Sequence, residues 1–325
     1  MISQRLPHLL LLLVFSLVSL LLGLMLGSVQ VAPTEIWGVL SGQGSPLHQM
    51  LILELRLPRV LAAFATGGLL AVAGALMQVL LRNPLADPYV LGLSGGAAVA
   101  ALLTMLAGLS LLWVSSAAFV GALFSTLLVF GLAHGSGSWT PTRLLLTGVV
   151  IAAGWGAMIS FLLAVSPAHE LPGMLYWLMG DMSHARSPLL PWLALVLILM
   201  LLLPLGRTLN VLARGSLQAA ALGVSVQRME WLIYGLASLL TAIAVTVAGS
   251  IGFVGLIVPH LMRMIFGFDQ RILLPASALA GGCLLVLADT LARIIIAPQQ
   301  LPVGVITALL GVPVFLLLLY RNKSA

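Results

Sequence analysis

The sequence predicts an all-α protein that crosses a membrane about ten times, with several helices short or broken. Hydrophobic residues make up 61% of the 325 residues and charged residues 7%, whereas soluble domains carry about 25% charged residues. Apolar runs long enough to cross a hydrocarbon core of about 30 Å recur along the whole chain. Residues 9–22 are apolar at nearly every position, unlike the strands of a membrane β-barrel, which alternate apolar and polar residues.

Ten apolar runs qualify as membrane spans, and we expect them to form one transmembrane domain over residues 1–325. The first run follows Arg5 and exceeds the roughly 7–15 residues of a secretory signal core, so we interpret it as a span. Cys283 is the single cysteine of the sequence and lies in an apolar run. Because one cysteine forms no intrachain disulfide, we expect it to pack between helices. The predicted spans are 9–29, 60–81, 91–112, 115–134, 143–166, 189–206, 229–248, 251–266, 272–297 and 301–320.

Two segments cannot continue as straight helices. In Asn83-Pro84-Leu85-Ala86-Asp87-Pro88 the two prolines lack backbone donors and restrict the residues before them. Residues 249–260, GSIGFVGLIVPH, combine four glycines or prolines with apolar residues. Structural punctuation alone explains either break, but interrupted helices in membranes pack inside protein or line a cavity. Together the two breaks favour a translocation path.

The basic residues predict the orientation in the membrane. Cytoplasmic loops are enriched in Lys and Arg, and ten spans place both termini on one side. Ten basic residues fall on that side and four on the other, so we expect both termini to be cytoplasmic. The net charge of +6 does not indicate nucleic acid, because the arginines are scattered over short loops. The ten are Arg5, Arg82, Arg143, Arg207, Arg214, Arg228, Arg263, Arg271, Arg321 and Lys323; the four are Arg56, Arg59, Arg186 and Arg293.

Three blocks carry a resemblance to a known family. They are LRLPRVLAAFATGGLLAVAGALMQVLLRNPLADPYVLGLSGG, GSIGFVGLIVPHLMR and LPVGVITALLGVPVF. In sequence and order they resemble the signature blocks of the binding-protein-dependent iron-chelate and cobalamin permeases, over most of residues 50–320. The resemblance implies a type II ABC importer permease of the bacterial inner membrane. It also implies a homodimer, two cytoplasmic ATPase subunits that use ATP and Mg, and a periplasmic binding protein. The chain itself would bind no cofactor and no metal, and the cargo would be cobalamin first, then ferric siderophore or haem.

The same resemblance assigns three groups of site residues. Arginines at the outer mouth would pair with acidic residues of the binding protein; the simpler alternatives are interfacial snorkelling of the first two and pairing of the third with Asp289. A gate would close the cytoplasmic end of the pore. A coupling segment within residues 206–228, otherwise a surface linker, would dock the ATPase, although Ser216 and Leu217 stand where relatives commonly have acidic or polar residues. The groups are Arg56, Arg59 and Arg293; Asn83, Leu85, Thr140, Pro141 and Thr142; and Gly215, Ser216, Leu217, Ala219, Leu222 and Gly223.

Other function classes fit the sequence less well. A P-loop needs a lysine after its glycines, and the only lysine is Lys323, so we do not expect an ATPase. The stretch 92–96 matches G-x-S-x-G, but no strand precedes Ser94, so we do not expect a serine hydrolase. An ion-coupled secondary transporter is the main alternative. It would place ionisable groups near mid-membrane, whereas the sequence places Glu54, Asp87, Glu230, Asp269 and Asp289 toward span ends or loops.

The outer connection between the fifth and sixth spans is rich in histidine and methionine. Both residue types ligate haem iron, but packing and loop roles are the more common interpretation. Whether His169 and His184 contact the cargo stays open at this point. The residues are His169, Met174, Met179, Met182 and His184.

Overall fold

The computed structural model describes residues 6–134, 140–185 and 187–322. Arg5, Arg186 and Lys323, which entered the orientation argument, lie outside these ranges. Within them the chain forms fourteen α-helices, one π-helix, one 3-10 helix and no β-strand. The α-helices, α1 to α14 in order, are Leu6–Met25, Pro33–Leu40, Pro46–Gln49, Leu57–Leu80, Leu93–Leu106, Leu111–His134, Pro141–Val165, Leu171–Met179, Leu189–Leu212, Ser216–Ala221, Val226–Ala248, Val254–Phe266, Gln270–Ile294 and Val303–Asn322.

The helices confirm the predicted fold class. Seven helical segments are long and apolar enough to cross a membrane, and α5, α12 and α14 are shorter apolar helices. Each of the ten predicted spans coincides with one of these ten segments. The main boundary difference lies at the second span, where α3, the π-helix Met50–Arg56 and α4 form one helical run over Pro46–Leu80. Helices α2 and α8 were not predicted, because they are too short to show as membrane spans in the sequence.

Helix α4 forms the centre of the bundle. Every residue from Ala62 to Leu80 is buried, and α13, α11, α12 and α9 pack around it. Two crossings need glycine, because an added Cβ at Gly67 would lie 2.2 Å from the carbonyl oxygen of Gly281, and one at Gly74 would lie 1.8 Å from that of Gly255. Small residues permit this close approach, and close packing is what holds helices together in a lipid environment.

Both predicted breaks are present. Helix α4 ends at Leu80 and α5 begins at Leu93, with only the 3-10 helix Pro88–Leu91 between them. Helix α11 ends at Ala248 and α12 begins at Val254, after Phe253 with a left-handed φ of 70°. The second break ends earlier than predicted, since Pro259 lies inside α12.

Candidate docking, gating and coupling sites

Arg56, Arg59 and Arg293, with Asp289, form a cluster near the end of α1, which we call the outer arginine cluster. Asp289 is 1% exposed. Its carboxylate accepts from Arg59 at 2.8 Å and forms an ion pair with Arg293 at 3.1 Å. Arg59 also donates to the side-chain oxygen of Gln300 at 2.8 Å. Asp289 therefore joins the two arginines, and the alternative in which Arg293 pairs with Asp289 is confirmed.

The other donors of the cluster hold the end of α1. Arg56 donates to the carbonyl oxygens of Leu24, at 2.6 Å, and Met25, at 3.1 Å. Arg293 donates to the carbonyl oxygens of Gly23 and Leu26, at 3.0 and 3.2 Å. The last carbonyls of a helix have no partner within it and carry its negative dipole end, so cations stabilise them. Arg56 and Arg293 thus anchor α1 to α4 and α13.

The three arginines differ in their access to a partner protein. Arg56 and Arg293 are 5% and 6% exposed, so interfacial snorkelling does not describe Arg56. Arg59 is the more accessible, with 12% of its side chain exposed. Docking of a binding protein onto the cluster stays a prediction, and Arg59 is the member best placed for it.

The two helix breaks contact each other through Tyr89. Its hydroxyl accepts from the backbone N–H of Ile251 at 3.2 Å, and its own N–H donates to Asp87 at 2.8 Å. Asp87 is 8% exposed, and burial raises its pKa to about 6, although the hydrogen bond from Tyr89 opposes the shift. The breaks therefore form one connected region, which contains the 3-10 helix and no α-helix, next to α4.

The predicted gate residues lie on two adjacent elements. Asn83 is exposed and its side chain accepts from the N–H of Leu85 at 2.9 Å, while Thr140 caps α7 by accepting from the N–H of Arg143. Pro141 is the first residue of α7 and Thr142 the second, exposed residue. Helix α7 meets the first break closely, because a Cβ at Gly148 would lie 2.9 Å from the backbone of Leu91. Gate closure itself stays a prediction.

The predicted coupling segment contains a short exposed helix. Helix α10, Ser216–Ala221, is bounded by Gly215 with φ 134° and Gly223 with φ 81°, conformations that favour glycine. Leu217 and Leu222 are 87% and 71% exposed, whereas Ala219 is fully buried. The segment is shorter than the predicted 206–228, since α9 continues to Leu212 and α11 begins at Val226.

The histidine- and methionine-rich connection combines buried methionines with exposed histidines. Met174 and Met182 are fully buried in packing clusters. The ring nitrogen Nε2 of His169 lies 3.6 Å from a carboxylate oxygen of Glu170, and Nδ1 of His184 lies 3.5 Å from a carboxylate oxygen of Asp181. Among the described residues no group of three or more His, Cys, Asp or Glu could hold a metal ion.

Several half-buried polar contacts were not predicted from the sequence. Arg263 donates to Gln78 at 2.6 Å, and Asn210 donates to Asp269 at 2.9 Å. These pairs are separated by 185 and 59 residues, so no local pattern points to them. The sequence signal that could have indicated these contacts is a single polar residue near the end of an apolar span, such as Gln78 or Asn210.

Comparisons with known proteins agree with this architecture. The model of the FecCD transport family matches residues 11–321. The vitamin B12 import system permease protein BtuC of Vibrio cholerae is 41% identical over 307 residues, covering 93% of this chain and 90% of the relative. The hemin transport system permease protein HmuU of Yersinia pestis is 43% identical over 285 residues, covering 84% of each. A solved inward-facing structure of a metal-chelate type ABC transporter has a TM-score of 0.87 and 31% identity, covering 97% of this chain and 99% of that one.

Proposed function

This chain belongs to the FecCD transport family, and from that membership we propose that it is the permease of an ABC importer that carries a bulky metal chelate. The observation that carries the proposal is the fold likeness over 97% of the chain to a metal-chelate type ABC transporter. Seven long and three shorter apolar helices supply the membrane domain. The chain has no P-loop lysine, so ATP and Mg would be used by a partner ATPase.

Cobalamin is the first candidate for the cargo, and ferric siderophore and haem are the next. The relatives named for vitamin B12 and for hemin are 41% and 43% identical to this chain, so overall identity does not separate these cargoes. We place selectivity mainly in the separate binding protein, because permeases named for different cargoes are about equally similar to this chain.

The proposed mechanism is alternating access across a homodimer. A loaded binding protein would dock at the outer arginine cluster, where Arg59 attracts acidic side chains and speeds encounter. Two copies of the gate residues Asn83, Leu85 and Thr140 to Thr142 would close the cytoplasmic end. Helix α7 supports a second copy, since only Leu144, Gly148 and Leu162 of its residues are buried in the single chain. Both termini would lie in the cytoplasm.

Helix α10 is the proposed contact for each of two ATPase subunits. Its exposed Leu217 and Leu222 offer apolar area outside the bundle, and the flanking glycines fix the direction of the helix. Burying one leucine side chain contributes about 1.5–3 kcal/mol. We therefore expect Leu217→Ala to weaken ATPase binding about tenfold or more, while Leu109→Ala, at an exposed leucine of the opposite end, leaves it unchanged. Co-purification at increasing ATPase concentration measures both, and equal affinities would remove α10 from the interface.

The decisive experiment is uptake into proteoliposomes. The permease is reconstituted with its ATPase and binding protein, and labelled cobalamin, haem and a ferric siderophore are offered with ATP, with ATP withheld, or with an ion gradient. ATP-dependent uptake of one chelate is the expected result and identifies the cargo. Uptake that follows the ion gradient and ignores ATP would instead establish a secondary transporter.

A further inference from the structure

A basic cavity of about 960 Å³ opens at the same end of the bundle as helix α10. It lies between the end of α4, the ends of α9 and α12, and the start of α13. Four arginines line it, together with one carboxylate, that of Asp269. Its size falls within the roughly 300–1,000 Å³ of small-molecule sites. We call this feature the basic cavity; its arginines are Arg82, Arg214, Arg263 and Arg271.

The arginines keep a positive excess after their internal contacts are counted. Arg271 pairs with Asp269 at 2.7 Å, and its hydrogen bonds hold the pKa of Asp269 well below the usual range, so this carboxylate stays ionised. Arg82 lies 3.8 Å from Glu230. Four arginines against two carboxylates leave two positive charges. Within the described part of the chain Arg214 is exposed and makes no ion pair.

One guanidinium is held in a fixed orientation at the wall. Arg263 donates to the side-chain oxygen of Gln78 at 2.6 Å and lies 5.9 Å from the ring centroid of Phe268. Neither contact neutralises its charge. An oriented guanidinium presents its remaining N–H groups as a fork, which matches the geometry of phosphate oxygens.

One exposed apolar side chain lines the basic cavity, and two more directly follow the cavity residue Arg263 in the chain. Phe268, which lines the cavity, is 78% exposed, and Met264 and Ile265, in the last turn of α12, are 61% and 55% exposed. A soluble anion makes no favourable contact with exposed apolar side chains. A phospholipid places its phosphate among cations and its acyl chains along apolar side chains. Basic pockets between transmembrane helices on the cytoplasmic side bind anionic lipid headgroups.

We propose that the basic cavity binds the headgroup of an anionic phospholipid of the inner leaflet, with Arg214 and Arg263 contacting its phosphate and the Met264, Ile265 and Phe268 side chains contacting its acyl chains. Free phosphate would make the same contacts with the arginines. The neighbouring apolar side chains of Met264, Ile265 and Phe268 favour a lipid as the ligand. The site is independent of the cargo, so it holds whichever chelate is carried.

The test measures lipid retention by the full-length permease. The protein is purified, exchanged into bilayer discs with equal amounts of phosphatidylglycerol and phosphatidylcholine of the same chains, and examined by native mass spectrometry. We expect preferential retention of phosphatidylglycerol. One arginine near a membrane surface contributes about a fivefold change in affinity for anionic lipid, so Arg214→Gln should lower retention about fivefold. Arg263→Gln should lower it at least as much.

Arg143→Gln is the matched control, because Arg143 is an exposed arginine of the same predicted side and does not line the cavity. It should retain phosphatidylglycerol as the unaltered chain does. Since Arg214 makes no internal ion pair, Arg214→Gln tests the site even if Arg263→Gln fails to fold. Equal retention in Arg214→Gln and in the unaltered chain overturns the proposal.

Two further measurements distinguish the lipid from other ligands of the basic cavity. Inorganic phosphate added to the discs should leave the bound phosphatidylglycerol in place; displacement by phosphate would assign the cavity to the free anion. Assembly with the ATPase should also leave the lipid bound, and its loss on assembly would assign the arginines to an acidic surface of that subunit. Either loss overturns the lipid proposal.

Discussion

Replacing Asp289 by asparagine tests the electrostatic balance of the outer arginine cluster. Within the described ranges no other carboxylate contacts Arg56, Arg59 or Arg293. The variant leaves the buried guanidinium of Arg293 and the half-buried one of Arg59 without their counter-ion, and an asparagine NH2 group faces their donors. Removing one partner of a buried ion pair destabilises a protein by about 3–5 kcal/mol. Because asparagine keeps one acceptor oxygen, we expect the lower end, about 3 kcal/mol.

Thermal unfolding of the purified permease in detergent measures the effect. At about 2–3 °C per kcal/mol for a large chain, Asp289→Asn should lower the midpoint by roughly 6–9 °C. Glu54→Gln is the matched control, since Glu54 is exposed, precedes Arg56 by two residues and makes no ion pair among the described residues. It should shift the midpoint by about 1 °C or less.

A double-mutant cycle separates pairing from simple packing. Adding Arg59→Gln to Asp289→Asn removes one of the two uncompensated charges, so the double variant should be more stable than the sum of the single effects predicts. A midpoint for Asp289→Asn equal to that of Glu54→Gln, or strictly additive effects in the cycle, would refute the counter-ion role of Asp289.

Two further predictions concern the centre of the bundle. Gly74→Ala places a Cβ 1.8 Å from the Gly255 carbonyl oxygen and should destabilise the protein by about 3 kcal/mol or more. Gly235→Ala, on α11 with nothing within 4 Å, should instead stabilise that helix by about 0.5–1 kcal/mol. Thermal unfolding of the two variants compares these effects. Asp87→Asn removes a buried carboxylate whose pKa is raised to about 6 from 3.8. In the unaltered chain the folded state keeps this carboxyl protonated up to about pH 6, whereas the unfolded chain loses the proton above about pH 3.8. Above pH 6 the ionised carboxylate destabilises the folded state, and asparagine removes that cost, so the gain in stability should reach about 3 kcal/mol. The gain should fade as the pH falls toward 3.8. A gain that does not vary with pH would show that Asp87 is not held in a desolvated site.

The arginines of the outer arginine cluster show what sequence position predicts and what depends on the tertiary structure. The sequence predicts that Arg56, Arg59 and Arg293 lie on the outer side, and the structure brings them together near the end of α1. Their orientation was not predictable, because an arginine side chain is long enough to reach either water or a buried acceptor. The choice depends on the unpaired carbonyls at the end of α1, which come from a distant part of the chain.

The sequence by itself determined the membrane class, the ten apolar segments and the two helix breaks, since hydropathy, proline and glycine act on the backbone within a few residues of themselves. Gly215 and Gly223 were singled out through the family resemblance, and the structure shows that both adopt a positive φ on either side of α10. Only the tertiary structure decided that α4 is the buried centre, that Asp289 joins two arginines, that Tyr89 connects the two breaks and that four arginines surround one cavity. Each of these depends on contacts between residues far apart in the chain, and such contacts are set by how the helices pack against one another.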